Sequence, residues 1–299
     1  MAYRYDIGLN SHYQFGAEIE FANVGLIDLY EMLLQEKLPV EYMMHHKTAT
    51  PGPTFKRWVL DTDFSVTKSG EQQYIGGELS SRILRDYTST WLELHKICKV
   101  LRKSGAQIND FCSNHITVNL SDVENMNRFL EFLSKVLIVY ESEIETFYRG
   151  EIPRERATKD DYAKSLAYRL SREINDIDFS SPRCIFNLTD HHDLYRFRDA
   201  ISLDKYARSK LMEVRYPNGT MNEEVIQNNI NFTMKLIDAI ISGKFDIPYL
   251  DRQIDKFDVI SWMRVDANPH KMGELIEIIS NSEKDKIAFN AQFQRVRKR

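Results

Sequence analysis

Two glutamates share one face of a short strand-like run near the start of the chain. Read with period 2, the run FGAEIEF, Phe15 to Phe21, places its large apolar side chains on one face and Glu18 and Glu20 on the other. About 6.6 Å of rise separates the two positions, which is close enough to hold one metal ion or a neighbouring pair. Two uncompensated charges would be unstable in a dry site. We therefore expect a positive group to meet them.

Four further segments alternate in the same way. RWVLDTDFSV is predicted as a strand that runs to Val66 and carries Asp61 and Asp63 on one face. YIGGELSS places Glu78 after two glycines, where the backbone can bend or approach a ligand closely. The polar faces of SNHITVNL and KLMEVRYPNGT hold His115, Thr117 and Asn119, and then Glu213 and Arg215.

A solvated face explains any one of these strands, because one side of an antiparallel sheet is often exposed to water. The whole set favours chemistry, since a wet face usually mixes lysine and threonine rather than concentrating carboxylates. In a common sheet these carboxylates would repel one another without cations. Oxygen ligands with a single imidazole suit Mg²⁺ or Mn²⁺, not a structural zinc. We predict that Glu18 and Glu20 meet a divalent metal ion.

Three amphipathic helices are predicted from apolar spacing and terminal signals. Their mixed order with the strands favours an α+β fold. A change in character after the third helix predicts a main domain over 1–245 and a C-terminal appendage over 246–299, packed on that domain or trailing from it. The predicted end signals are Ser89 and Gly105 for the first helix, a capping box of Ser121 and Glu124 for a second helix from Phe129 to Phe147, and Asn222 and Gly243 for the third.

Composition indicates a globular protein. With 42% hydrophobic residues, 299 residues can bury a sizeable core. The formal net charge of -4 indicates neither nucleic-acid nor membrane binding, and we interpret the terminal RVRKR as a solvated tail. No signal peptide or membrane-spanning run is predicted.

The three cysteines are widely spaced, which favours a reducing compartment and a cytoplasmic protein. Cys98 and Cys112 are interpreted as buried or incidental rather than nucleophilic, because neither can be paired with a histidine from the sequence.

The order of these motifs resembles the amidoligase family of the carboxylate-amine ligase, or glutamine synthetase-like, superfamily. That family has a first strand like FGAEIEF, a D-x-S element like DFS, a GGELSS-like strand, a histidine strand and a late E-x-R strand like MEVRYPNGT. The resemblance runs from about Phe15 to about Gly243. It implies a glutamine synthetase-like curved antiparallel sheet with helices on its outer face. It also implies an enzyme that uses ATP to join a carboxylate and an amine, each a small molecule or a peptide, through an acyl phosphate.

The resemblance also implies roles for particular residues, with ATP and Mg²⁺ or Mn²⁺ as cofactors. The metal ligands would be Glu18, Glu20, Glu78, His115 and Glu213. Nucleotide or phosphate would be bound by Arg215, Thr117, Arg154 and Arg156, and catalysis would involve Arg215, Glu213 and Asp63.

Thr117 departs from the family pattern, which commonly has His-x-His in this strand. A hydroxyl can hydrogen-bond a phosphate but supplies neither a neutral imidazole nor a cation. Two alternatives therefore stay open: a degenerate member that binds nucleotide or acidic peptide without catalysis, and a metal-dependent kinase on the same fold. Arg154 and Arg156 are equally well explained as solvated loop residues. The acid, the amine, the number of metals and any homo-oligomer are left open.

Two histidine pairs are weaker candidates. Adjacent histidines point in different directions on most backbones, which argues against a metal site at His191 and His192. His45 and His46 are predicted in a loop before the second strand, where they could line a substrate entrance.

Overall fold

The structure is a computed structural model that describes residues 3–43, 56–66, 76–149, 163–196, 198–258 and 267–297. These residues form a mixed α and β fold with mostly antiparallel strand pairs. The strands are β1 Phe15–Ala22, β2 Val40–Met43, β3 Trp58–Thr62, β4 Gly76–Ser80, β5 Asn114–Asn119, β6 Ile201–Ser202 and β7 Leu211–Val214. The α-helices are α1 Leu26–Gln35, α2 Thr88–Lys103, α3 Met126–Tyr148, α4 Ala167–Glu173, α5 Cys184–Phe186, α6 Tyr206–Ser209, α7 Glu223–Ile241, α8 Ile247–Ile254, α9 Pro269–Ile279 and α10 Glu283–Arg297.

The chain divides into two compact units. Among the described residues, the first contains 3–118 and 217–231, and the second contains 119–149, 163–216 and 232–297. The predicted boundary at 245 and 246 stays a prediction, as does the curved glutamine synthetase-like form of the sheet. Across the described part of the chain, no helix combines the length and apolarity that crossing a bilayer requires.

The first unit is built on five strands in the order β2-β3-β4-β1-β5. The pair β2 and β3 is parallel, and the other neighbouring pairs are antiparallel. Apolar positions alternate as predicted in β1, where Phe15, Ala17, Ile19 and Phe21 are all buried. Burial of one face of each strand thus leaves the polar residues together on the other face.

Helix α2 supplies a large part of the apolar core of this unit. Its buried face includes Trp91, Leu94, Ile97 and Cys98, as the helical spacing predicts. The Trp91 ring stacks on Phe15 of β1 with ring centroids 5.9 Å apart. The predicted helical face, and the burial of Cys98 on it, are therefore confirmed.

Strand β3 ends earlier than predicted. The strand stops at Thr62, and Phe64–Val66 form one 3₁₀ turn, so the predicted strand to Val66 is wrong. The carboxylate of Asp63 accepts hydrogen bonds from the Ser65 N–H and the Ser65 hydroxyl, each at 2.8 Å. Such a local side-chain contact offers the backbone an alternative to the strand ladder.

The predicted capping box of α3 is also wrong. The helix begins at Met126, and its cap is Asn125, whose side chain accepts from the Arg128 N–H at 3.0 Å. The predicted cap residue Ser121 lies in a separate turn, where its hydroxyl donates to Asn119 at 2.5 Å.

Three of the other four predicted helix ends are confirmed. Asn222 caps α7 by accepting from the Glu224 N–H at 3.0 Å, as predicted. Gly105 and Gly243 follow α2 and α7 with φ of 81° and 66°, the left-handed conformation that stops a helix. Ser89 lies within the first turn of α2 rather than at its cap.

The second unit is organised around α3, against which α4, α8, α9 and α10 pack. Aromatic side chains fill this core, where Phe147 stacks on Phe232 with ring centroids 4.2 Å apart. A buried ion pair joins α7 to α10, with 3.3 Å between Lys235 Nζ and Asp285 Oδ2. Strands β6 and β7 form an antiparallel pair in the same unit.

Gly77 shows why a glycine precedes Glu78. A Cβ built at this position would lie 2.2 Å from the carbonyl oxygen of Asp61 in the neighbouring strand. The close approach is thus to backbone of the sheet itself, and an alanine cannot fit without separating β3 from β4.

We predict that Gly77→Ala lowers the free energy of unfolding by about 2 kcal/mol, within the range for overpacked sites. Gly273→Ala is the matched control, because a Cβ on this residue of α9 meets nothing within 4 Å. It should raise stability by up to about 1 kcal/mol through helix propensity. Urea unfolding of both variants measures the difference, and equal midpoints would contradict the steric argument.

Candidate functional site

Three carboxylates occupy one row across three adjacent strands of the first unit. The register pairs Asp61 of β3 with Glu78 of β4, and Glu78 with Glu20 of β1. Like charges directly opposite one another destabilise a strand pair. The backbone register therefore creates an electrostatic cost that the site must offset.

His115 lies between the two glutamates of β1. Its backbone is the register partner of Glu18, and its Nδ1 is 3.0 Å from Glu18 Oε2. On the other side of the ring, Nε2 is 3.7 Å from Glu20 Oε1. The imidazole thus lies against both carboxylates, while the divalent metal that the sequence predicts for this pair stays a prediction.

The carboxylate of Glu20 is fixed from the backbone as well. Glu20 is buried, and its Oε2 accepts a hydrogen bond from the Ser113 N–H at 2.6 Å. Its own N–H donates to the Ser113 carbonyl at 3.1 Å. Because Ser113 holds both the backbone and the side chain of Glu20, this buried carboxylate has a fixed position before any ligand binds.

Asp63 joins this row from the turn after β3. Glu20, Asp63 and Glu78 each offer a carboxylate oxygen, and these three atoms lie within 4.8 Å of one another. Oxygen ligands at such spacing suit a hard divalent cation such as Mg²⁺ or Mn²⁺. The donor set therefore fits the metal that the sequence predicts at this face.

The electrostatics at Glu78 agree with that fit. Burial raises the pKa of Glu78 well above its ordinary value, and the nearby carboxylates, of which Glu18 contributes most, raise it further. The Ser80 hydroxyl donates to Glu78 Oε1 at 3.3 Å, a neutral contact that leaves the repulsion in place. A bound cation would reverse this shift.

Glu213 and Arg215 lie in the second unit. Glu213 is buried and contacts two cations, Arg215 Nη1 at 3.1 Å and Lys205 Nζ at 2.9 Å. Lys205 was not predicted from the sequence, since a lysine between β6 and β7 carries no recognisable signal. Because Glu213 belongs to a different unit, its convergence with Glu18 on one metal site stays a prediction.

The remaining candidates are less informative. Thr117 is half-buried on β5, opposite Gly16 of β1. The His191 and His192 rings stack at 5.0 Å, and His192 Nδ1 lies 2.8 Å from Glu173. Among the described residues no metal-binding group includes either histidine. The predictions for Arg154, Arg156, His45 and His46 fall outside the described residues.

All three cysteines are buried, and none of them forms a disulfide bond. Burial raises the pKa of Cys98, which favours the unreactive thiol over the thiolate nucleophile. Cys112 Sγ lies 3.2 Å from Asn109 Oδ1 in the turn before β5. The burial of both residues agrees with the prediction that they are buried rather than nucleophilic.

We predict a pH-dependent stability difference between the wild-type protein and Glu78→Gln in metal-free buffer. Because the folded protein holds the Glu78 proton to a higher pH than the unfolded chain, wild-type stability falls as pH rises from 4.5 through the raised pKa. Glutamine does not titrate, so the stability of Glu78→Gln relative to the wild type should increase over that pH range. The melting temperatures of both proteins, measured against pH with a chelator present, test this difference. Parallel curves of melting temperature against pH would contradict the repulsion assigned to Glu78.

The comparisons with known proteins agree with the motif order. A sequence model of the family described as "Putative amidoligase enzyme" matches residues 11–237, more than half of the chain. The matched segment contains every strand and every site residue discussed above. No curated protein matches the chain. On the strength of the family match, the chain belongs to the putative amidoligase family.

Proposed function

We propose that this protein is an ATP-dependent carboxylate-amine ligase that works through an acyl phosphate. The observation that carries the proposal is the convergence of carboxylate oxygens from Glu20, Asp63 and Glu78 within 4.8 Å, next to the Glu18–His115 pair. Family membership supports ligase chemistry. Phosphoryl transfer depends mainly on positioning and charge neutralisation, which such a cluster could provide with a metal.

The residues that would hold divalent metal are Glu18, Glu20, Glu78 and His115, with Asp63 beside them and Glu213 as the predicted ligand from the second unit. A bound metal would supply positive charge to the phosphates of ATP. His115 and the Ser113 N–H keep the carboxylates of Glu18 and Glu20 in fixed positions for that purpose.

The proposed reaction has two steps. A carboxylate oxygen of the acid attacks the γ-phosphorus of ATP, and ADP leaves. The nitrogen of the amine then attacks the acyl carbon, phosphate leaves, and the amine loses a proton. Arg215 is proposed to bind a phosphate or carboxylate, because a planar guanidinium binds two oxygens at once.

The direct test is ATP-dependent phosphate release across a panel of acids and amines, with product analysis by mass spectrometry. An amide product together with ADP and phosphate would support the ligase. A phosphorylated acid formed with no amine present would favour the kinase alternative instead. ATP binding without turnover across the panel would favour the degenerate binding protein that Thr117 leaves open.

We predict that Glu20→Gln weakens Mn²⁺ binding by at least about tenfold, because the amide keeps the shape but loses the charge. The matched control is Glu41→Gln, an exposed glutamate on β2 of the same sheet, which should bind Mn²⁺ like the wild type. Calorimetric titration measures both proteins. Equal loss in the two variants, or no loss in Glu20→Gln, would remove Glu20 from the metal site.

We predict that Arg215→Lys lowers turnover on the order of 10²-fold while the fold is retained. Lysine keeps the charge but loses the planar fork, and a contact that tightens as the acyl phosphate forms affects turnover more than ATP binding. Arg208→Lys, at an exposed position of α6, is the control and should be close to wild type. Circular dichroism checks folding, and a folded Arg215→Lys protein with wild-type turnover would exclude Arg215 from the mechanism.

A further inference from the structure

A charged cavity lies in the second unit, outside the residues assigned above. Its volume is about 350 Å³, and the lining side chains that the structure describes are all charged. Four of them are cations and three are aspartates, so their formal charges sum to +1. The cations are Lys164, Arg169, Arg196 and Arg198.

One wall of the cavity is fixed by a buried carboxylate. Asp199 is only 2% exposed, and it accepts from the Arg169 guanidinium and from the Arg196 N–H, the latter at 2.9 Å. Arg169 also donates to the carbonyl oxygen of Asp193. Arg169 is thereby held in place by groups of the wall itself, which reduces the entropy lost when a ligand binds.

The backbone beside this wall is strained. A π-helix over Asn187–His191 is followed by two left-handed residues, Asp193 with φ of 53° and Tyr195 with φ of 56°. An aromatic residue at positive φ is strained and persists only where the surroundings impose this conformation. Here the Tyr195 hydroxyl is 2.8 Å from that of Ser134, inside the core.

The strained segment places functional side chains on the cavity wall. Asp193 is itself a lining residue, and Arg196 follows directly after Tyr195. The Arg196 guanidinium lies 3.0 Å from Asp193 Oδ1. Backbone strain of this kind is concentrated at ligand-binding segments. Here the strained backbone determines the positions of Asp193 and Arg196 at the cavity.

We propose that this cavity binds a small oxyanion, the carboxylate or phosphate group of a ligand. The net positive lining attracts an anion, and guanidinium groups contact two oxygens of such a group at once. Asp199 contacts Arg169, and Asp193 contacts Arg196, which holds these two arginines at the cavity without a ligand present. The proposal stands independently of the ligase reaction, because none of its residues belongs to the proposed metal cluster.

The experiment is a calorimetric titration of the full chain with inorganic phosphate, and separately with acetate, in buffer without ATP or divalent metal. Sodium chloride at matched ionic strength is the reference for general screening. We expect saturable binding of at least one of the two oxyanions. Arg196→Gln and Arg198→Gln should each weaken it about tenfold, the value of one charge-assisted hydrogen bond.

The matched control is Arg208→Gln, an exposed arginine of the same unit that does not line the cavity. It should bind the oxyanion as the wild type does. No saturable binding of either anion, or wild-type affinity in both Arg196→Gln and Arg198→Gln, would overturn the proposal. Failure of the ligase assay would leave this result unaffected, since the titration involves neither ATP nor metal.

Discussion

The register of β1, β4 and β3 is the constraint on which the candidate site depends. Ile19 pairs with Leu79, and Leu79 with Leu60, so three fully buried side chains stand in one row on the apolar face. The adjacent row on the polar face consists of Glu20 and Glu78 with their partner in β3. A slip by one residue would exchange the two faces and bury the acids in the core. Apolar burial therefore imposes the repulsion between the carboxylates.

The carboxylates of the two units differ in the groups that contact them. In the first, an imidazole and a backbone N–H contact Glu18 and Glu20, yet the pKa of Glu78 remains raised. In the second, a guanidinium and an ammonium both contact Glu213. Two protein cations are therefore already in contact with the Glu213 carboxylate. The demand for an additional cation is therefore greatest at Glu78, and this difference locates the metal proposal in the first unit.

The sequence predicted what depends on periodicity and on the order of motifs. Alternation identified the polar faces of β1 and β5, helical spacing identified the buried face of α2, and the motif order identified the family. It could not identify which residues stand opposite one another, because register depends on pairing between distant segments. The contact of Lys205 with Glu213 was missed for the same reason.

The errors at α3 and β3 have a shared physical cause. In each case a short polar side chain bonded to nearby backbone, Asn125 at the start of α3 and Asp63 after β3, and so decided the local structure. Several serines, asparagines and aspartates near each boundary could make such bonds. Sequence alone does not rank them, because the choice depends on where the flanking segments are held.

The end of β3 before Asp63 affects the position of this residue in the carboxylate cluster. In an uninterrupted strand, Asp63 would lie about 6.6 Å further along β3 from Asp61, on the same face. The turn instead leaves an Asp63 oxygen within 4.8 Å of those of both Glu20 and Glu78. Two hydrogen bonds from Ser65 fix the carboxylate there, which offsets part of the cost of bringing a third negative charge to the cluster. The rules of strand formation thus fail at a residue of the proposed metal cluster, and such local exceptions are expected to be most frequent at functional sites.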